Sequence, residues 1–416
     1  MLDRLHIFRA SWTLLDQGLV SLGVFLVNVQ LARTLPEESF GTFALLFGGF
    51  LALQLFNSSL LLYPMSIRLP VLEGDDRHRL LSATAKLVAL ATVPLSGVLA
   101  IGLYVLGRAD LIVPAVLVFF CWQMQETMRR GLLAQFRHQA AIPGDVVTYY
   151  GQVAGVAALS YWGELTLTGA LFAMAQAFAA GAIIQAVQLP LAPFRSTNLR
   201  ATAEEYFSIG GWSLINNLVS LARIQILPWA LAATGGPAAA GAFQAALNVV
   251  NISNPIILGL CNVIPQTAAR AQQSGGNAEA WRAARVYMLM GVPPTFGYYA
   301  LVLLVPSLFL TLFYGSDSPY TGLTTAVQIL VMAWAIGYAT EMTCSYLHGV
   351  NGAHLALIIN SLGAVASIAL AIPATQMYGL TGGCFAILGA NVVRLVASQY
   401  ILRRITADEC TAKPAT

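Results

Sequence analysis

At 416 residues the chain is 57% hydrophobic and only 9% charged, with a formal net charge of +3. Soluble globular domains carry roughly 25% charged residues, so the composition excludes an ordinary soluble enzyme and points to a membrane protein. With no long basic run and no repeated aromatic platform, nucleic acid is not an expected partner.

The N-terminal ten residues are polar and lead straight into a long apolar window. No small-residue cleavage site follows a short apolar region, so no cleaved signal peptide is expected. Windows of spanning length, about twenty residues each, then recur near 11–33, 39–63, 80–106, 111–130, 145–162, 167–189, 209–234, 238–262, 284–312, 322–348, 354–374 and 379–402. The longest connections run 64–79, 190–208 and 263–283. The expected fold is therefore an all-α polytopic membrane protein with about twelve transmembrane helices.

Cationic residues set the orientation. With a cytoplasmic N-terminus, Arg4, Arg9, Arg68, Arg77, Arg79, Lys86, Arg129, Arg130, Arg137, Arg195, Arg200, Arg270, Arg282, Arg285, Arg403, Arg404 and Lys413 share that side. Only Arg33 and Arg108 fall outside, so both termini are expected in the cytoplasm.

A shift of 200 positions lays Trp12 on Trp212, Asp16-Gln17 on Asn216-Asn217, Gly41 on Gly241 and Phe43 on Phe243. At another shift Glu126 meets Glu341. The repeat predicts two six-helix lobes related by a pseudo-two-fold along the membrane normal. Residues 1–190 form the N-terminal lobe, 191–208 a cytoplasmic linker, 209–402 the C-terminal lobe and 403–416 a cytoplasmic tail. Helix breakers of interest are Pro228 and Pro255, and Gly151 with Gly155 forms a packing motif.

Arg223 is the sharpest residue, placed about midway along the seventh span. An Arg at a helix centre costs ~2.5–3.5 kcal/mol on insertion scales, so it needs compensation. A guanidinium in a cavity suits an anion, phosphate above all; the other reading is a structural ion pair with Asp16 or Glu341. At 100° per residue Ser213, Asn216, Ser220 and Arg223 share a stripe, and Gln244, Asn248, Asn251 and Asn262 form another. Asp16, Gly23 and Gln30 mark the matching face of the first span. These faces are expected to line a shared cavity whose amides suit sugar hydroxyls, or else to act as interhelical glue.

Asp16 and Glu341 are candidates to bind a coupling proton or sodium ion, or to neutralise Arg223 or Arg394. Glu126, four residues before Arg130, is a structural or gating group, and Arg394 lies close enough to the cytoplasmic end to snorkel. The single cysteines Cys121, Cys261, Cys344, Cys384 and Cys410 show neither zinc nor disulfide spacing, and no metal or cofactor is expected.

Leu15-Asp16-Gln17, Ser21, Phe25, Asn28, Leu31-Ala32-Arg33 and Phe40-Gly41-Thr42-Phe43-Ala44 resemble the first two spans of bacterial polysaccharide flippases, including O-antigen flippases. The run from Gln125-Glu126 through Arg129-Arg130 to Ala134 is similar to their fourth span. This family belongs to the multidrug/oligosaccharidyl-lipid/polysaccharide exporter superfamily, which includes the MATE-like transporters. The resemblance implies a non-enzymatic transporter in the bacterial inner membrane, moving an isoprenoid diphosphate-linked oligosaccharide by alternating access among membrane lipids. It also implies a basic cavity residue for the diphosphate, and by type and span that residue is Arg223. The first span departs from the pattern, carrying Asp16 where a base would complete a symmetric clamp. A cation-coupled multidrug exporter of the same fold is the alternative. A glycan polymerase or ligase is disfavoured, because the outer connections are short and His6, His78, His138, His348 and His354 all lie near the cytoplasmic side.

Overall fold

The computed structural model describes the backbone of residues 2–189, 191 and 198–411. The Arg195 and Lys413 positions lie outside the described residues, as do the side chains of Arg4, Arg9, Trp212 and Cys410. Every regular element among the described residues is helical. In chain order these are α1 (Leu2–Thr34), α2 (Glu37–Asn57), α3 (Tyr63–Arg68), α4 (Gly74–Val105), α5 (Ile112–Ala134) and α6 (His138–Tyr161). Then follow α7 (Leu167–Val187), α8 (Leu199–Val250), α9 (Asn254–Leu304), α10 (Pro306–Tyr314), α11 (Thr324–Gly349) and α12 (Ala353–Thr411).

Eight stretches among the described residues are long and apolar enough to cross a membrane, which makes this a polytopic membrane protein. The expected span 145–162 is not one of them, although all but its last residue lies in α6. Asp145 and Gln152 lower its hydropathy, and both are buried inside the protein.

The three longest helices are broken by glycine. Gly236 interrupts α8 at φ 75°, Gly275-Gly276 interrupts α9 with Gly276 at φ 71°, and Gly379 interrupts α12 at φ 56°. Positive φ is nearly free only for glycine, so these residues break each helix without strain. The prolines expected to matter act differently. Pro228 stays inside α8, and Pro255 occupies the first turn of α9, where its missing N–H costs nothing. The stretch 263–283, expected as a loop, is helical on both sides of its glycine break.

The chain divides into two compact units, Met1–Leu218 and Val219–Thr416. The division falls within α8, past the 191–208 stretch expected as a linker. The reason is chemical: the start of α8 is tied to the first unit by side chains. Tyr206 is fully buried with its hydroxyl 2.8 Å from that of Thr84, and Arg68 pairs with Glu205. Asn217 donates to Ser59 Oγ at 2.9 Å, inside the π-helical turn Ser58–Leu62 that ends α2.

In the first unit α5 packs on α4 and α7, and α6 on α1 and α7. Lipid tails are as apolar as leucine, so such packing relies on close contact rather than water exclusion. A Cβ at Gly155 would lie 3.0 Å from Ala173 Cβ, and one at Gly151 3.4 Å from Ala177 Cβ, so the two glycines do seat α6 on α7. Phe43, Phe47, Phe50, Phe119 and Trp122 form a chain of ring contacts between α2 and α5. In the second unit α11 packs on α9 and α12, around Ile264, Tyr338, Met342, Tyr346, Leu347 and Ile359.

Candidate functional site

The second unit buries an ionic group built from three helices. Glu341 on α11 accepts a hydrogen bond from Arg394 Nη2 on α12 at 2.8 Å. The same Nη2 donates to Asn360 Oδ1 at 2.8 Å, and Nη1 donates to Asn391 Oδ1 at 3.2 Å. Asn391 is itself held by a 2.9 Å bond to the Ala333 carbonyl. Arg394 is 1% exposed, so it does not snorkel as expected; it is the largest fully buried side chain described. Gly363 makes room for it, because a Cβ there would run into Arg394 Cγ and Cδ.

Arg223 on α8 approaches the same Glu341 oxygen, but its Nη2 stands 3.7 Å away. That distance gives Coulomb attraction without a hydrogen bond. Its Nε is buried and has no hydrogen-bond partner among the described residues. The Arg223 and Glu341 side chains keep 21% and 37% of their surface exposed. Two guanidiniums thus face one carboxylate, and the fully buried one holds it. Arg223 is left as the under-compensated cation.

The first unit reverses this balance. Arg129 on α5 reaches Asp16 on α1 at 2.6 Å, Asp145 on α6 at 2.9 Å and Glu126 on its own helix at 3.8 Å. Arg130 pairs with Glu126 at 2.6 Å, the local contact its spacing predicted. Gln125 and Gln185 donate to Asp145 Oδ1 at 2.9 and 3.0 Å. Asp16 and Asp145 are 2% and 1% exposed. Asp16 therefore neutralises Arg129 within the first unit.

The α1 stripe is engaged by neighbours within the first unit. Asp16 is taken by Arg129, and a Cβ at Gly23 would sit 2.6 Å from Tyr149 Cβ on α6. In the amide orientation its neighbours require, Gln30 donates to the Val153 carbonyl at 3.1 Å and accepts from the Ala157 N–H at 2.8 Å. Gln30 thus bridges α1 to α6. In lipid a buried carboxylate or amide must find partners in the protein, and α5 and α6 supply them here.

The remaining amide and hydroxyl positions are dispersed. Asn216 and Ser220 are half-buried on α8, as is Asn251, which opens the turn Asn251–Ser253. Gln244 donates to Asn248 Oδ1 at 3.0 Å, and the buried Asn248 keeps an Nδ2 without a partner among the described residues. Asn262 is exposed. Hydropathy and spacing passed over Asp145 and left Arg129 as a helix-end charge. The signal for Asp145 was available, since an acid within an apolar helix needs a partner; its partner Arg129 lies sixteen residues away and no helical spacing joins them.

No family model matches the chain, and no curated protein matches it. Solved structures do. A multidrug resistance MATE family transporter of the MOP superfamily, in an inward-facing conformation, aligns with TM-score 0.79 at 16% identity, over 95% of this chain and 96% of that one. The lipid II flippase MurJ, in an inward closed conformation, aligns with TM-score 0.74 at 11% identity, covering 95% and 87%. A Pyrococcus furiosus MOP-superfamily transporter, described by a reverse polarity of its binding pocket, aligns with TM-score 0.64 at 14% identity, covering 98% and 96%. This chain shares the fold of these three solved proteins. At these identities the likeness carries the fold and no cargo.

Proposed function

We propose that the protein is an alternating-access transporter, not an enzyme, and that its cargo is an isoprenoid diphosphate-linked oligosaccharide carried across a bacterial inner membrane. In this reading twelve helices form two six-helix lobes, 1–190 and 209–402, related by a pseudo-two-fold, with both termini cytoplasmic. The glycine breaks support the count: those in α9 and α12 each divide one long helix into two rods of spanning length, and past Gly236 the helical chain runs on through Asn251–Ser253 into α9. One observation carries the cargo assignment: Glu341 is hydrogen-bonded to Arg394, which leaves Arg223 partly exposed and under-compensated. A diphosphate offers a guanidinium the paired oxygens it lacks. Asn216, Ser220, Gln244, Asn248 and Asn251 are then the candidates for sugar contacts.

A second reading is the cation-coupled multidrug exporter. The TM-score of 0.79 belongs to a protein described as a multidrug resistance transporter, against 0.74 for the lipid II flippase. The carboxylate excess around Asp16, Asp145 and Glu126 also suits a cation-coupled exporter, with proton or sodium as the coupling ion. Arg223→Ala separates the two. In the flippase reading the variant accumulates in the membrane and surface polysaccharide falls to background, with partial rescue by Arg223→Lys. Wild-type polysaccharide in the alanine variant, together with drug efflux from vesicles that requires a pH or sodium gradient, would establish the exporter instead.

A further inference from the structure

We propose that Glu341 is an internal competitor for the anion site, a carboxylate that occupies Arg223 in the empty protein and yields it to an incoming diphosphate or similar paired oxyanion. The inference rests on the reading of Arg223 as an anion-binding residue. It adds the group that regulates that residue.

The geometry carries the argument. Arg223 and Arg394 both address Glu341 Oε1, at 3.7 and 2.8 Å. Of the three side chains Arg394 is sealed at 1% exposed, whereas Arg223 and Glu341 keep 21% and 37% of their surface open. A ligand can therefore reach the long, weak contact and cannot reach the short one. Arg394 is anchored by Asn360 and Asn391, and Asn391 by the Ala333 carbonyl, so its guanidinium is a fixed post. The fixed post keeps the carboxylate within attraction of Arg223 but outside hydrogen-bonding distance.

This arrangement solves a problem that membrane burial creates. A bare guanidinium in lipid is costly and a fully paired one cannot bind cargo. A carboxylate shared with a second, permanent partner lowers the first cost without saturating the site. When an oxyanion arrives at Arg223, Glu341 keeps its hydrogen bond to Arg394 and loses only the weaker attraction. Arg394 is then a positioning residue: it acts on the cargo through Glu341 and touches nothing that binds.

The test measures inorganic pyrophosphate binding to the full-length protein in nanodiscs, by calorimetry, with thermal unfolding recorded for each variant. Glu341→Gln, which removes the competing charge, should tighten pyrophosphate about tenfold. Arg394→Lys, which loosens the hold on Glu341 and lets it settle on Arg223, should weaken pyrophosphate severalfold although neither residue contacts the probe. Glu204→Gln removes one exposed negative charge from the other unit, at a residue outside both buried ionic groups, and should leave the affinity unchanged, which separates local competition from a general field effect. Arg223→Ala should abolish binding both alone and combined with Glu341→Gln.

Unchanged affinity in Glu341→Gln, or unchanged or tighter binding in Arg394→Lys, would overturn the competitor role while Arg223→Ala still abolishes binding. Pyrophosphate binding that survives Arg223→Ala would remove the anion site itself, and the competitor with it. Should Glu341→Gln fail to fold, the opposite-signed shift in Arg394→Lys still decides.

Discussion

The first unit places a guanidinium among carboxylates, and the second places a carboxylate between guanidiniums. In the first, Arg129 is surrounded by Asp16, Asp145 and Glu126, with Arg130 at the edge. In the second, Glu341 stands between Arg394 and Arg223. With every group ionised the first set holds three acids and two bases, the second one acid and two bases. The hub of the first unit is closed, since Arg129 keeps 12% of its side-chain surface and Asp145 none. The second is open on one side, at Arg223 and Glu341. A closed hub ties helices together; an open one can exchange partners. This contrast makes the second unit the better candidate for cargo contact and the first a better candidate for structure or coupling.

The strongest way to break that contrast is to remove the closed hub. Arg129→Met should destabilise the protein by about 3–5 kcal/mol, because it strands buried carboxylates on α1 and α6. Thermal unfolding in detergent should show a large drop, and a smaller one for Glu341→Gln, since Arg394 keeps Asn360 and Asn391. Equal drops would mean that the two hubs do the same work.

A smaller effect tests the packing beneath the open hub. Gly363→Ala puts a methyl group against the stem of Arg394, and overpacking of this kind costs about 1–3 kcal/mol. It should also disturb pyrophosphate binding by moving Arg394, whereas a change in stability with no change in binding would uncouple Arg394 from the anion site. The smallest expected effect belongs to Arg200→Ala. Arg200 pairs with Glu204 at 2.9 Å, but the two side chains are 91% and 67% exposed. An exposed i, i+4 pair contributes about 0.3–0.5 kcal/mol at best, so unfolding should scarcely move. A loss comparable to that of Arg129→Met would show that pairing as such, rather than burial, governs these contacts.

Much of the helix plan was legible because an apolar run of spanning length admits few other structures in lipid. Where that reading slipped, glycine was the main cause. Residues 263–283 looked like a soluble loop, yet they are helical to either side of Gly275-Gly276, and Ile264, Ala268 and Ala280 within them are buried in the second unit's core. Span 145–162 looked like another apolar helix, yet its polar residues were the clue to the Arg129 hub. Glu126 with Arg130 was readable, since four residues separate neighbours on one helical face. Asp16 with Arg129 was not, because 113 residues lie between them.

Composition and hydropathy by themselves determined a helical membrane protein, the length of its rods and the presence of costly charges inside them, because lipid penalises every unpaired polar group along the chain. Tertiary structure alone decided which charge meets which: that Asp16 answers Arg129, that Glu341 belongs first to Arg394, and that Arg223 is left open. The reason is that Coulomb attraction in a low-dielectric interior depends on distance through space, and beyond one helical turn sequence separation carries no record of that distance.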